Sequence, residues 1–226
     1  MTGSTATRAG LAPATAVKVC GLRKRSDAQA CAAAGVSYAG LNRVAASRRC
    51  VGLQECVAIV DELRSCAATG QASVEPVLVY RDSTRAQILS ESNQLGVRWV
   101  QLHGGESVEM ALLLQASGLQ VIRALPGTTP VQTLQAWLES ADILLLDGTE
   151  AGSGQPWAWT APKDFSLQRI WIAGGLSPHN VAAALSSVNA AGVDAASGLE
   201  TDGALDPLKI EEFVQQVSAL ERAGRE

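Results

Sequence analysis

Apolar residues in this chain gather into short unbroken runs, and all but one of these runs lead into a stretch with helical spacing. The first, "VKVCGL", precedes "SDAQACAAAG"; "YAGL" precedes a helical stretch from about Leu53 to Ala68. "PVLVY" precedes "STRAQILSESNQLG", "WVQLHG" precedes "ESVEMALLLQASG", and "QVIRAL" precedes "PVQTLQAWLES". "DILLLDG" leads instead into a glycine-rich loop. "RIWIAGG" precedes "SPHNVAAALSSV", and "VDAASGLE" precedes "DPLKIEEFVQQVSALERA". Punctuation supports these bounds. Ser26, Ser83, Ser177 and Asp206 are placed to cap helix starts, Pro178 and Pro207 suit a first helical position, and Gly35 and Gly96 suit helix ends.

The apolar runs do not alternate strictly with polar residues. Strands of that kind suit a parallel sheet covered on both faces. Eight strand–helix units in 226 residues, about 28 residues each, predict an α/β fold: a single-domain (β/α)8 TIM barrel with parallel strands, slightly shorter than the usual ~250 residues. The rival architecture is an open doubly wound sheet, but no G-x-G-x-x-G follows the first run. The barrel is expected over residues 17–222, with residues 1–16, loose and rich in Ala and Thr, as a flexible N-terminal extension.

Composition narrows the class. The net charge is −4, with 22 acidic against 18 basic residues, so no broad basic face is available for nucleic acid. The N-terminal stretch lacks a continuous apolar segment, and no run approaches the ~18 residues that a membrane span needs. The five cysteines, Cys20, Cys31, Cys50, Cys56 and Cys66, are odd in number and show no C-x-x-C spacing, which points to reduced thiols and a cytoplasmic protein. With His103 and His179 as the only histidines, a histidine-rich metal site is excluded. No cofactor is called for, and the chain is expected as a monomer or homodimer.

Active sites of such barrels lie at the C-terminal ends of the strands. Two proton-transfer groups stand there, Cys20 and Asp147. Cys20 by itself also suits a small buried core residue, and Asp147 also suits a helix or loop cap. Gln101 and His103 end the fourth run. Gly174 and Gly175 follow the seventh run, and Ser197 and Gly198 follow the eighth. Loops at those two places commonly hold a phosphate between backbone amides and a helix N-terminus; tight turns are the plain alternative.

These residues carry a family resemblance. "KVCGLRKRSDA", "VQLHGGE", "LLLDGTEAGSGQPWAW", "IAGGLSPHNV" and "GVDAASGLE", in that order, are similar to the motif blocks of the phosphoribosylanthranilate isomerases. The similarity runs from about Val17 to Val217. It implies a (β/α)8 barrel of tryptophan biosynthesis that performs a cofactor-free Amadori rearrangement of N-(5′-phosphoribosyl)anthranilate. By the same resemblance Cys20 would be the general base and Asp147 the general acid. Arg49, in "SRRC", would face the anthranilate carboxylate, and Gln101, His103, Gly174, Gly175, Ser197 and Gly198 would bind substrate. The stretches "GLNRVAAS" and "VYRD" depart from the family pattern, as does Ala158, which stands where the family has an aspartate. A phosphosugar-binding barrel without turnover, or an isomerase of another phosphosugar, is the alternative those departures leave open.

Overall fold

A computed structural model describes residues 15–148, 169–188 and 190–223. Eight parallel strands close into a barrel: β1 (Ala16–Cys20), β2 (Tyr38–Asn42), β3 (Glu75–Tyr80), β4 (Trp99–Leu102), β5 (Gln120–Pro126), β6 (Ile143–Asp147), β7 (Ile170–Ile172) and β8 (Gly192–Ala195). The first five are each followed by a helix: α1 (Arg25–Ala34), α2 (Leu53–Ala68), α3 (Arg85–Leu95), α4 (Val108–Ala116) and α5 (Val131–Leu138). α6 (Val181–Val188) follows β7, and α7 (Pro207–Ala223) follows β8. The expected (β/α)8 barrel is therefore the observed fold. The open-sheet alternative fails at the β1–β8 seam, where Val17 pairs with Val193 and Lys18 with Asp194. The glycine-rich loop after β6, Ala158 and most of the expected N-terminal extension lie outside the described residues.

The strands lack alternation because both of their faces are covered. Val19, Leu41, Leu78, Val100, Leu144 and Ile172 look outward and pack under the helices in the main core. Val77, Trp99, Ile122, Ile143, Leu145 and Trp171 look inward and form a second core inside the barrel. Tyr38 stacks edge-on to Trp99, with centroids 5.3 Å apart, and to Trp171 at 4.9 Å, so aromatic rings plug the barrel floor. The interior above that floor becomes polar, with Lys18 and Gln101 buried there.

Three cap expectations shift. α1 begins at Arg25 rather than after Ser26, because the Asp27 carboxylate accepts from the Arg23 and Lys24 amides at 2.8 and 3.2 Å. α3 is capped by Thr84, whose hydroxyl accepts from the Gln87 amide, and Ser83 stands one residue outside. α6 starts at Val181, not near Ser177, because the Asn180 side chain accepts from the Ser177 amide at 2.8 Å and donates to the Gly175 carbonyl at 2.9 Å. The chain thus makes a side-chain-bound turn before the helix opens. Asp206 does cap α7, accepting from the Leu208 amide at 3.0 Å. A small hairpin not read from the sequence, β9 (Glu200–Thr201) with β10 (Ala204–Leu205), precedes α7.

Candidate active site

A cavity of about 290 Å³ opens at the C-terminal end of the barrel. Strand alternation dictates who reaches it. On β1, Ala16, Lys18 and Cys20 share the inward face; on β8, Asp194 does the same. Cys20 lines the cavity from the end of β1, and Asp147 lines it from the end of β6, three strands away around the ring.

The floor of the site beneath Cys20 is ionic. Lys18 is fully buried, and its Nζ lies 2.9 Å from Asp194 Oδ2 across the β1–β8 seam. Gly40, the register partner of Cys20 on β2, leaves the room for this arrangement. A Cβ on Gly40 would lie 2.7 Å from Cys20 Sγ and 3.2 Å from Lys18 Nζ. Thiol and ammonium therefore crowd one point. Burial pushes the Cys20 thiol up from its ordinary value, and Lys18 is the strongest group pulling it back. Burial also works against the charge on Lys18, but Asp194 and Cys20 outweigh it and raise its pKa, which keeps the ammonium charged.

At β6, Asp147 Oδ1 accepts from the Gly148 amide at 2.8 Å. Its other oxygen faces His103 Nε2 at 3.4 Å, and His103 Nδ1 in turn lies 3.4 Å from Gln101 Nε2. Asp147, His103 and Gln101 thus form one polar row across the cavity from Cys20. Among the described residues, two buried polar atoms of the cavity wall have no hydrogen-bond partner, Gln101 Oε1 and Asp194 Oδ1.

Arg49 reaches the cavity from the loop after β2, and its guanidinium is fixed. Nε and Nη2 lie 2.6 and 3.0 Å from the two oxygens of Glu200. Arg48 adds a third bond to the same carboxylate at 2.5 Å. Burial acts against the charge of Glu200, but the two guanidiniums outweigh it and hold the carboxyl below its ordinary range. Gly21, at φ +94°, lets the Arg49 stem pass, since a Cβ there would meet Arg49 Cδ at 2.4 Å.

The loops after β7 and β8 touch. A Cβ on Gly198 would lie 2.0 Å from the Leu176 carbonyl oxygen. Gly174, Gly175 and Ser197 line the cavity beside this contact, while Gly198 packs behind it. Ser197–Leu199 form a short 3₁₀ turn.

The sequence profile of the N-(5′-phosphoribosyl)anthranilate (PRA) isomerase family matches residues 17–216. N-(5′-phosphoribosyl)anthranilate isomerase of Streptococcus pneumoniae serotype 19F (strain G54) is 33% identical over 204 residues, covering 90% of this chain and 96% of the relative. Among solved structures, phosphoribosyl anthranilate isomerase from Thermus thermophilus is 27% identical with a TM-score of 0.73, covering 91% of this chain and 99% of its own. A phosphoribosyl anthranilate isomerase in complex with reduced 1-(o-carboxyphenylamino)-1-deoxyribulose 5-phosphate superposes with a TM-score of 0.75 at 25% identity, over the same shares of the two chains. The chain belongs to the phosphoribosylanthranilate isomerase family.

Within this isomerase framework, all the sequence-derived site residues except Gly198 line one cavity. Arg123 lies inside β5, which continues to Pro126. It is buried with Glu106 at 2.7 Å and the Gly104 carbonyl at 2.7 Å, so it fastens the loop after β4 rather than facing the cavity. Lys18, Asp194 and Glu200 were not singled out as site residues. For Lys18 a signal was present: it stands two positions before Cys20 on a strand, hence on the same face. The partners of Lys18 and Arg49 lie 176 and 151 positions away, beyond local patterning.

Proposed function

We propose that the chain catalyses the cofactor-free isomerisation of N-(5′-phosphoribosyl)anthranilate to 1-(2-carboxyphenylamino)-1-deoxyribulose 5-phosphate in tryptophan biosynthesis. One observation supports it most. A thiol and a carboxyl end separate strands of the barrel and line one cavity whose side is formed by the loops after β7 and β8. A soluble, cytoplasmic enzyme fits the reading, and no helix among the described residues is long and apolar enough to cross a membrane.

In this reading Asp147 delivers its proton to the furanose ring oxygen. The C1′–O bond breaks, and the nitrogen lone pair forms the C1′=N bond of a Schiff base. Cys20, as thiolate, removes the C2′ proton. The C–H electrons form C1′=C2′, and the nitrogen recovers its lone pair. Return of the thiol proton to C1′ and of the enol proton to Asp147 gives the ketone and restores both groups. No electron leaves the substrate, so no redox partner is needed. The phosphate would sit against the loops holding Gly174, Gly175 and Ser197, with Gly198 keeping them together, and serve as an anchor. Arg49, held flat by Glu200, would present its outer edge to the anthranilate carboxylate. His103 and Gln101 would order the Asp147 side of the pocket.

Loss of phosphoribosylanthranilate fluorescence on adding the purified chain tests the proposal. Turnover that falls by about 10² to 10⁴ in Cys20→Ala is the expected result. A folded protein that binds phosphate without turnover would favour the barrel that has lost catalysis.

A further inference from the structure

Below the thiol lies a buried ion pair that the proton transfers above do not use. Lys18 is inaccessible to solvent, and its partner Asp194 is nearly so. Burying such a pair is costly unless its geometry and remaining hydrogen bonds are good, and replacing it with apolar side chains is often neutral or stabilising. This pair is incompletely satisfied, since Asp194 Oδ1 has no partner among the described residues. Packing alone therefore gives little reason for the pair. Its position gives a better one, with Nζ and the Cys20 sulfur crowding the same side of Gly40.

We infer that Lys18 and Asp194 are positioning residues that set the charge state of Cys20, the ammonium favouring the thiolate and Asp194 holding the ammonium in place while moderating its effect. Among the described residues, the charged and titratable groups facing Cys20 are few. Lys18 lies two positions earlier on the same strand, Asp194 on β8 and Arg49 on the loop after β2. Asp147 and His103 face it across the cavity. Lys18 is the nearest cation with no other anion than Asp194 within ion-pair distance among the described residues. Arg49 is already committed to Glu200. Asp194 lines the cavity together with Cys20, so the pair stands at the site itself.

The inference rests on the proposed role of Cys20, but its test does not require turnover. Alkylation of Cys20 by iodoacetamide is followed peptide by peptide across pH in the full chain, with Cys31, Cys56 and Cys66, all buried, as internal references. Below the pKa, thiolate fraction changes tenfold per pKa unit. Lys18→Met is expected to slow Cys20 alkylation at neutral pH by about tenfold or more, with rates converging at high pH. Asp194→Asn is expected to act in the opposite direction and speed it. Because Lys18→Met strands a buried carboxylate, the pair Lys18→Met/Asp194→Asn supplies a folded background and is expected still to react more slowly than the parent. Circular dichroism checks each fold. Opposite shifts in the two single variants support the inference, as does slowed reaction in the folded double variant. An unchanged alkylation profile in a folded variant, or shifts of the same sign, overturns it. Absence of isomerase activity in the parent, with these shifts present, would count against the proposed function alone.

Discussion

Arg49 and Glu200 are joined fork to fork, Nε to Oε1 at 2.6 Å and Nη2 to Oε2 at 3.0 Å, across the mouth of the barrel. The contact fixes the plane of a guanidinium that would otherwise rotate freely. A carboxylate that does not change during the reaction gains the same binding in ground and transition states. Arg49→Ala is therefore expected to raise KM by about 10- to 100-fold, the ~1.5–3 kcal/mol of hydrogen bonds to a charged group, with kcat little changed. Steady-state kinetics measure both. A fall in kcat at constant KM would assign Arg49 to chemistry.

Cys20→Ala and Asp147→Asn should each lower kcat by about 10² to 10⁴, the usual cost of losing a positioned acid or base. Both groups sit at the rim of the barrel, so far-UV circular dichroism and thermal midpoint should stay near the parent. Near-parental turnover in either variant would refute its assigned role.

The contact between Gly198 and the Leu176 carbonyl predicts that any Cβ at 198 forces the two loops apart. Gly198→Val should weaken inhibition by inorganic phosphate and raise KM. Gly175→Val should do likewise by a different route, because its φ of 68° disfavours a branched side chain. A crystal soaked in phosphate should show the anion between the loops; density elsewhere with none there would overturn this placement.

Acid stability should depend on Glu91. The Arg43 guanidinium first, then Gln87 and Tyr80, hold its carboxyl below the ordinary range against the effect of burial. A carboxyl depressed in the folded state stabilises fully above its unfolded value, ~4.3 for glutamate, and loses that contribution as pH falls through the lower folded value. Urea midpoints from pH 7 to pH 3 should therefore fall more steeply in the parent than in Glu91→Gln. Parallel curves would exclude Glu91 as a source of the acid sensitivity.

The fold was legible because its signal is local. Each buried strand is a run of apolar residues, and the helix stops at Gly35 and Gly96 are visible in the chain as such, both in left-handed conformation. Cys20 and Asp147 were legible because each ends an apolar run. The helix start near Ser177 was misplaced because Asn180, three residues on, competes for the Ser177 amide and forms a turn first. The Lys18–Asp194 pair was hidden for a different reason. Lysine on a strand between two valines looks like an exposed position until the closed barrel shows that its face points inward. Glu200 was obscure because it needs the short β9–β10 hairpin, whose turn residues Asp202 and Gly203 both adopt positive φ, to bring it back over Arg49.

Lys18 belongs to the first strand and Asp194 to the last. A chain emerging from the ribosome exposes one long before the other. Until β8 docks, Cys20 lacks the closed, desolvated setting of the finished barrel and sits on an open sheet edge as an unexceptional thiol. The seam that completes the barrel is also the seam that assembles the charge beneath the sulfur, so a truncated or half-made chain carries the cysteine without the ion pair that underlies it.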